Sequence, residues 1–386
     1  MSLSPVHPRQ ITLGAVFAMA AAVEFSIALA QMFFAVALAA WVVTLVVERR
    51  RPSAPAWALP LLLFAAWTLL SASFSSDPRT SFIDTKQLLL LLLVPLVYDV
   101  LDESSAVPLT TMILIAGACS ALVGIVQYSV FHYDNLGQRP RSTLGLYMTF
   151  SGLMMLVLSV ALARVLFLSK SRVWPAVVMP ALAVVLALTF TRNSWVGLSF
   201  AVGLLLSMRD FRLTALLPVV AAVFFALAPA PIVQRFYSIF DRNDPTRSDR
   251  VAMLRAGEQI IAAHPITGVG PNMVERVYPQ YRDKGAVLKS TPHLHNVPLQ
   301  IAAERGLPAL ALWIWTIGGI GLGAARLFRS SPRDGPVRFL AAAALAAVVS
   351  MIGAGMFEHN FGDSEFLMLF LVIVTLPFAV TRKTAR

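Results

Sequence analysis

Apolar runs of about 18 to 22 residues recur along almost the whole chain. A helix that rises about 1.5 Å per residue needs a run of this length to cross a hydrocarbon core of about 30 Å. Strand alternation does not occur in these runs, which leaves helices as the crossing elements. The chain is 58% hydrophobic and only 13% charged, unlike soluble globular proteins. We therefore predict an all-α integral membrane protein.

The runs predict about twelve transmembrane helices, interrupted by one long polar segment. The candidate spans are 11–25, 27–47, 56–74, 88–101, 107–129, 146–168, 173–190, 194–208, 213–230, 306–325, 337–357 and 364–381. This arrangement divides the chain into three parts. Residues 1–230 hold helices one to nine, residues 231–305 form a large loop with short helices, and residues 306–386 hold the last three spans.

Basic residues are distributed unevenly between the two sides of the predicted bundle. Fifteen lie on one side, namely Arg9, Arg49, Arg50, Arg51, Lys170, Arg172, Arg209, Arg212, Arg326, Arg329, Arg333, Arg338, Arg382, Lys383 and Arg386. The short segments of the other side hold five, namely Arg79, Lys86, Arg139, Arg141 and Arg192. By the positive-inside rule the first side, with both termini, is cytoplasmic, and the large loop is outside. The net charge of +11 then reflects membrane anchoring and does not indicate nucleic-acid binding.

The basic residues on the outer side are the informative ones, because the rule disfavours them there. Arg192 lies in Thr191-Arg192-Asn193-Ser194, a tight connection at the membrane surface. An unpaired cation at that depth is costly, which favours a functional residue over an arginine that snorkels to water. Arg139 and Arg141 form a second outer cluster, which a solvated loop would also explain.

The large loop contains a predicted helix from about residue 250 to 263, with Ser248-Asp249 as its N-cap. Arg250 would then lie in the first turn, where a cation opposes the helix dipole, so either an anionic ligand or solvent must meet it. Val251, Leu254, Ile260 and Ile261 provide its apolar contacts. Gly268-Val269-Gly270-Pro271 predicts a tight turn, whose N–H groups could alternatively cradle an anion.

His293 and His295 flank Leu294 near the end of the loop. A metal pair is conceivable there, yet no cysteine or carboxylate at ligand spacing completes it, so we expect no metal. His295 stands where the loop re-enters the membrane, and a histidine there suits removal of a proton from a hydroxyl, although hydrogen bonding alone is the alternative. Glu358-His359-Asn360 and Asp363-Ser364-Glu365 gather polar groups at the outer ends of the last spans, where they line a site or meet water.

His295-Asn296, nine residues and then Gly306 resembles the His-[Asn/Ser/Gln]-x9-Gly-x-x-[Gly/Thr/Tyr] motif of bacterial O-antigen ligases. At the last motif position this chain has Ala309 where Gly, Thr or Tyr is usual, which keeps a small residue there. Thr189-Phe190-Thr191-Arg192 resembles the family's Thr-x-Ser-Arg signature, and Ser248 to Gly270 resembles its loop helix. The resemblance covers about the C-terminal half of the chain; the N-terminal half is similar only in its pattern of spans.

The resemblance implies a multi-pass glycosyltransferase of GT-C architecture in the bacterial inner membrane, with its site on the periplasmic side. Its donor would be a glycan on undecaprenyl diphosphate, and its acceptor a hydroxyl of lipid A-core. Arg192 and Arg250 would hold the diphosphate, and His295 would take or orient the acceptor proton, with inversion in one displacement. We expect Arg139, Arg141 and Asn296 to assist binding, and neither a metal nor a cofactor to be needed.

Three other functions fit much of the same pattern. O-antigen polymerases and protein O-oligosaccharyltransferases resemble the ligases in spans and motifs and differ in the acceptor. A lipid-linked sugar flippase or another transporter would also be polytopic, although it would more typically have charges within several spans and internal repeats.

Overall fold

The computed structural model describes residues 7–238, 245–283 and 288–382. This part of the chain is helical, and no strand occurs in it. The α-helices in chain order are α1 (Pro8–Ala22), α2 (Ile27–Val47), α3 (Ala58–Ser73), α4 (Pro78–Asp84), α5 (Leu93–Val100), α6 (Glu103–Ser129), α7 (Tyr147–Phe167), α8 (Val173–Leu188), α9 (Arg192–Arg209), α10 (Leu217–Leu227), α11 (Ala230–Tyr237), α12 (Pro245–Ala263), α13 (Val274–Tyr281), α14 (Val297–Ser330), α15 (Pro336–Gly355) and α16 (Ser364–Thr381). Short 3-10 segments are Thr85–Leu92, Ser169–Ser171, Phe211–Leu216 and Asn360–Gly362.

Seven helical segments of the described chain are long and apolar enough to cross a membrane, which makes this a multi-pass membrane protein. They are Ile27–Val47, Pro78–Val100, Glu103–Ser129, Tyr147–Phe167, Val297–Ser330, Pro336–Gly355 and Ser364–Thr381. Shorter apolar helices are Ala58–Ser73, Val173–Leu188 and Phe211–Leu227. Each of the twelve predicted spans overlaps a helix, while the number of crossings stays a prediction.

The centre of the bundle is built from α7, α15 and α16, whose residues are mostly buried. Helix α15 contacts α7, α9, α14 and α16 and is rich in alanine, which lets neighbouring backbones approach closely. Gly197 of α9 is one such contact, because a Cβ atom there would lie 2.6 Å from the Ser350 carbonyl oxygen. The close approach places the start of α9 near the turn that follows α15.

Contacts between connecting segments agree with the predicted alternation of sides. The buried Asp99 carboxylate accepts hydrogen bonds from Arg382 at 2.9 Å and Arg50 at 3.4 Å, and both arginines belong to the predicted cytoplasmic set. Asp334 likewise accepts from the Ser169 hydroxyl and backbone N–H, at 2.6 and 2.8 Å. Lys383 and Arg386 of that set lie outside the described residues. Which side is cytoplasmic stays a prediction.

Helix α12 begins earlier in the loop than predicted, at Pro245 rather than about residue 250. Ser248 and Asp249 therefore lie within the helix, and the prediction that they cap it was wrong. Proline is favoured in the first turn because its missing N–H is not needed there. Arg250 consequently lies past the first turn, and the predicted conflict with the helix dipole does not apply.

Helix α12 joins α13 and the segment before α14 in a small hydrophobic core within the loop. Its buried members include Met253, Ala256 and Ile260 from α12, with Tyr278 and Leu294. Of the predicted apolar contacts, Ile260 is fully buried and Ile261 packs against the cluster, whereas Val251 and Leu254 are exposed. Residues 239–244 and 284–287 of the predicted loop lie outside the described part.

Helix α14 begins at Val297, inside the segment 231–305 that the sequence assigned to the loop with its short helices, and the predicted span from 306 corresponds to the part of α14 that follows a break at Gly306. Gln300, Glu304 and Arg305 interrupt the apolar pattern of the part before the break. In the structure all three are buried, and the Arg305 guanidinium bonds to the Glu304 carboxylate at 2.8 Å. Burial of paired polar groups thus extends the helix beyond its apolar run.

A kink at Gly306 divides α14 into two helical parts. Gly306 has φ 81° and ψ 170°, a backbone conformation that essentially only glycine adopts. Pro308, two residues later, has no N–H group to donate. The break leaves carbonyl groups of the preceding turn without helical partners. The carbonyls of Ala303 and Glu304 instead accept hydrogen bonds from two loop residues.

These loop donors are the backbone N–H groups of Val269 and Gly270, at 3.0 and 2.9 Å. The Trp67 indole donates to the Arg305 carbonyl at 2.9 Å. Gly268 and Gly270 have φ 65° and 103°, so the predicted turn is present. The alternative that this turn cradles an anion is wrong, because the N–H groups of Val269 and Gly270 instead bond to carbonyls of α14.

Candidate active site

A cavity of about 450 Å³ lies where the turn before α9, the loop helix α12 and the start of α14 meet. It is lined by Arg192, Asn193, Val196, Ser238, Arg250, Val251, Leu254, Leu294, His295, Asn296, Met356 and Phe357. Four of the six predicted site residues, Arg192, Arg250, His295 and Asn296, are therefore brought to one place. Arg192 and Arg250 carry positive charge, and no carboxylate occurs among the described lining residues, so the cavity is electropositive.

Arg192 is the first residue of α9 and is half-buried. Phe190 just before it has φ 53°, which is rare for a bulky residue and marks the tight turn that the sequence predicted. The Arg192 guanidinium donates from Nη1 to the Ser238 hydroxyl at 3.0 Å. Because Asn193 and Val196 also line the cavity, the positive end of the α9 dipole faces it.

Arg250 approaches the cavity from α12 and is half-buried. Val251 and Leu254, the residues of α12 that sequence analysis assigned to apolar packing, line the same cavity. One face of α12 thus contributes both a cation and apolar surface. This pairing suits a ligand with an anionic part and an apolar part.

His295 is half-buried and has φ 50°, in the left-handed region, where strained residues often serve a function. Its Nδ1 atom lies 3.1 Å from Oε2 of Glu358. Asn296 caps α14, since its Oδ1 accepts from the Leu299 N–H at 2.9 Å, and its Nδ2 donates to the Met356 carbonyl at 3.1 Å. Both ends of the Asn296 amide are therefore used within the protein.

Glu358 is a functional candidate that the sequence indicated only as a member of the polar cluster Glu358-His359-Asn360. It is 8% exposed and lies 63 positions from His295, so no local spacing could pair them. The only signal was the polar cluster after the eleventh predicted span. Burial raises the pKa of Glu358, but the hydrogen bond from His295 and the charges of His295 and His293 outweigh it and bring the pKa to about 2. The carboxylate is thus ionised at neutral pH.

The chain is similar to one known family over part of its length. Residues 176–314, well under half of the chain, match the family model described as O-Antigen ligase. Over this segment the chain is similar to O-antigen ligases. The matched segment includes Arg192, Arg250 and His295, and it supports an enzyme of the ligase or polymerase type. No curated protein matched the chain significantly.

His293 lies beside His295, with ring centroids 4.2 Å apart. One ligand atom each from His293, His295 and Glu358 lie within 4.8 Å of one another, a donor set of a kind that zinc accepts. The third donor comes from outside the matched residues 176–314, from the turn after α15. Glu358 already satisfies His295 by a hydrogen bond, and the expectation that no metal is needed stays a prediction.

Arg139 and Arg141 do not line the cavity in the described structure. Arg139 packs over the Tyr147 ring, with its Cζ atom 4.2 Å from the ring centroid. Burial is the main cause that lowers its pKa, and the charge of the nearby Arg192 lowers it further. Arg141 is exposed and donates to the Gly145 carbonyl at 3.2 Å. Their predicted binding roles stay predictions.

An apolar groove of about 450 Å³ lies between α14 and α15, next to the cavity that Arg192, Arg250 and His295 line. Its lining includes Val297 and Pro298, which directly follow Asn296, and Met356, which also lines the cavity. Its remaining lining is mostly apolar and glycine residues of the two helices. The cationic cavity and the apolar groove are therefore adjacent.

Proposed function

We propose that the protein transfers an O-antigen glycan from undecaprenyl diphosphate to a sugar hydroxyl of lipid A-core. The observation that supports this most directly is the single cavity that gathers Arg192, Arg250 and His295 from three separate segments. Two cations and a candidate base in one place are what the transfer needs. The match of residues 176–314 to the O-antigen ligase family supports the same reaction class.

The cations suit the leaving group. As the bond to the glycan breaks, the diphosphate gains negative charge, and arginine binds phosphate oxygens through its planar fork of donors. Arg192, Arg250 and the N-terminal end of α9 would stabilise that charge as it develops. On this proposal the transfer requires no metal.

The groove between α14 and α15 suits the lipid part of the donor. A polyprenyl chain is apolar and needs an apolar surface that continues from the diphosphate site into the bilayer. The groove meets this need, since Met356 lines both it and the cavity. We therefore place the prenyl chain in the groove and the diphosphate in the cavity.

His295 would accept the proton in the transfer step. The acceptor oxygen forms a bond to the anomeric carbon while the bond from that carbon to the diphosphate oxygen breaks, with inversion. The electron pair of the broken bond stays on the diphosphate, and the hydroxyl proton moves to the His295 ring. We further propose that this happens on the periplasmic side of the inner membrane, in a GT-C bundle of twelve spans.

The proposal is tested by transfer with purified full-length protein in lipid, defined undecaprenyl-diphosphate glycan and lipid A-core. Arg192→Ala, Arg250→Ala and His295→Ala should each lower the transfer rate by about 10²-fold or more, because each removes charge stabilisation or the base. The matched control is Arg255→Ala on the same helix α12. Arg255 is exposed and pairs with Asp283 at 3.1 Å, a surface contact of little energetic weight, so this variant should transfer normally.

The products distinguish the other functions. Glycan that lengthens only on the lipid carrier would identify a polymerase, and glycan on an added pilin-like protein would identify a protein glycosylating enzyme. Movement of the donor between leaflets without any transfer would identify a flippase. If all three site variants transfer glycan at the wild-type rate, the assigned site is wrong.

A further inference from the structure

Glu358, in the turn between α15 and α16, holds the ring of His295 through one carboxylate oxygen. Oε2 lies 3.1 Å from Nδ1, and the Glu358 side chain is only 10% exposed. An ionised carboxylate can only accept hydrogen bonds, so Nδ1 must be the nitrogen that donates. In the neutral ring the nitrogen with the free lone pair is then Nε2.

The second oxygen fixes the orientation of the carboxylate. Oε1 accepts the backbone N–H of His359 at 3.0 Å and lies 3.7 Å from Nε2 of His293. The bond from Asn296 to the Met356 carbonyl ties the same two segments together. His295 and Glu358 are therefore held in fixed relation by several contacts between the start of α14 and the turn after α15.

We propose that Glu358 is a positioning residue for the glycan transfer, an assignment that rests on the function proposed above. It keeps the hydrogen of His295 on Nδ1, leaves Nε2 to take the proton of the acceptor hydroxyl, and stabilises the imidazolium that results. Arg192 and Arg250 line the same cavity, and their positive charges disfavour that imidazolium. Among the groups that face His295, which also include His293, Glu358 supplies the negative charge.

The bond to His359 makes Glu358→Gln an informative variant. The backbone N–H of His359 needs an acceptor, so the amide oxygen of the glutamine would remain there. Its NH₂ group would then face Nδ1 of His295, which must become the acceptor. Nε2 would carry the hydrogen and could no longer take a proton. Although glutamine has nearly the same shape as glutamate, the change should therefore strongly lower the transfer rate.

The transfer assay tests this ordering. Glu358→Asp keeps a carboxylate and should retain the most activity, Glu358→Ala less, and Glu358→Gln the least, with kcat lowered by about 10²- to 10⁴-fold. The KM for donor should change little, because Glu358 does not line the cavity. The matched control is Glu275→Gln, the same change at an exposed site on α13, which should transfer normally. A purely structural role gives the opposite ordering, with glutamine tolerated best, and would overturn the assignment.

Nitrogen NMR of histidine-labelled protein reads the tautomer without relying on transfer. The chain has six histidines, and the His295 signal is identified by its loss in His295→Ala. In the neutral ring we expect hydrogen on Nδ1 in the wild type and on Nε2 in Glu358→Gln. Hydrogen on Nε2 in the wild type would overturn the assignment, as would one bound zinc ion per chain that Glu358→Gln loses. A wild type with the expected tautomer but no transfer would reject the proposed function while confirming the pair.

Discussion

His359 is a buried histidine whose pKa is lowered by its surroundings. It follows Glu358 directly, its Nδ1 atom is buried without a hydrogen-bond partner, and burial lowers its pKa to about 3, with the charges of His293 and Arg305 contributing. An unfolded chain protonates the same ring near its ordinary pKa of about 6.5. Between these two values the unfolded state binds a proton that the folded state does not.

This difference predicts a loss of stability in mild acid. As the pH falls below about 6.5, proton uptake by the unfolded state lowers the free energy of unfolding, and protonation of Glu358 adds to this below about pH 4.5. Between about pH 7 and pH 5 the unfolding temperature of the wild type in detergent should therefore fall relative to that of His359→Gln, which lacks this proton uptake. His132→Gln, at an exposed loop position, is the control and should keep the wild-type slope. Equal slopes in wild type and His359→Gln would contradict the prediction.

Single site residues were predictable from sequence where their side chains were unusual for their position relative to the membrane. Arg192 was conspicuous as a cation on the wrong side of a span, and His295 as a histidine at a membrane boundary; the structure places both at one cavity. Glu358 was not predictable, because its role depends on a contact with a residue 63 positions away. Its pairing is a property of the packing of α14 against α15.

At the scale of elements, the spacing from His295-Asn296 to Gly306 describes one piece of helix. Asn296 caps its start, nine residues make its length, and Gly306 ends it with a kink. The kink exposes the carbonyls onto which the loop residues Val269 and Gly270 dock. The motif thus positions His295 and anchors the loop at the two ends of the same short helix.

Replacing Gly306 by alanine should therefore separate the loop from the bundle. A Cβ atom there would lie 1.8 Å from the Ile266 carbonyl oxygen, and φ 81° is strained for any side chain. We expect Gly306→Ala to lower the free energy of unfolding by at least about 2 kcal/mol and to increase protease cleavage in the loop. Gly203→Ala is the control, since a Cβ atom on this α9 glycine meets nothing within 4 Å, and it should be neutral or slightly stabilising. Similar stability of the two variants would contradict this role of the kink.

Element boundaries were predicted well where apolar runs have clear ends and poorly where polar residues are buried. The second and twelfth spans match α2 and α16 at both ends. The part of α14 before Gly306 was assigned to the loop, because Gln300, Glu304 and Arg305 interrupt its apolar pattern. The start of α12 was placed too late, because Ser248-Asp249 is a stronger sequence signal for a cap than Pro245.

At the scale of the molecule, the sidedness of the bundle is open to a direct test. The chain has one cysteine, Cys119, so Cys119→Ser gives a background free of thiols. In that background Glu275→Cys, on the exposed loop helix α13, should react with a membrane-impermeant maleimide in intact spheroplasts. Ser331→Cys, between α14 and α15, should react only after the membrane is opened, because the positive-inside rule places that turn in the cytoplasm. The reverse labelling pattern would invert the topology.

The docking of the loop onto the α14 kink also determines when the site can form during synthesis. Val269 and Gly270 leave the ribosome before the carbonyls of Ala303 and Glu304 that they bind, and Glu358 follows later still. A chain halted after the loop would present its arginines and His295 without the carboxylate beside the base. On the proposed mechanism a nascent chain therefore lacks a complete site until the turn after α15 has been made, and the large loop expressed alone would lack both Arg192 and Glu358.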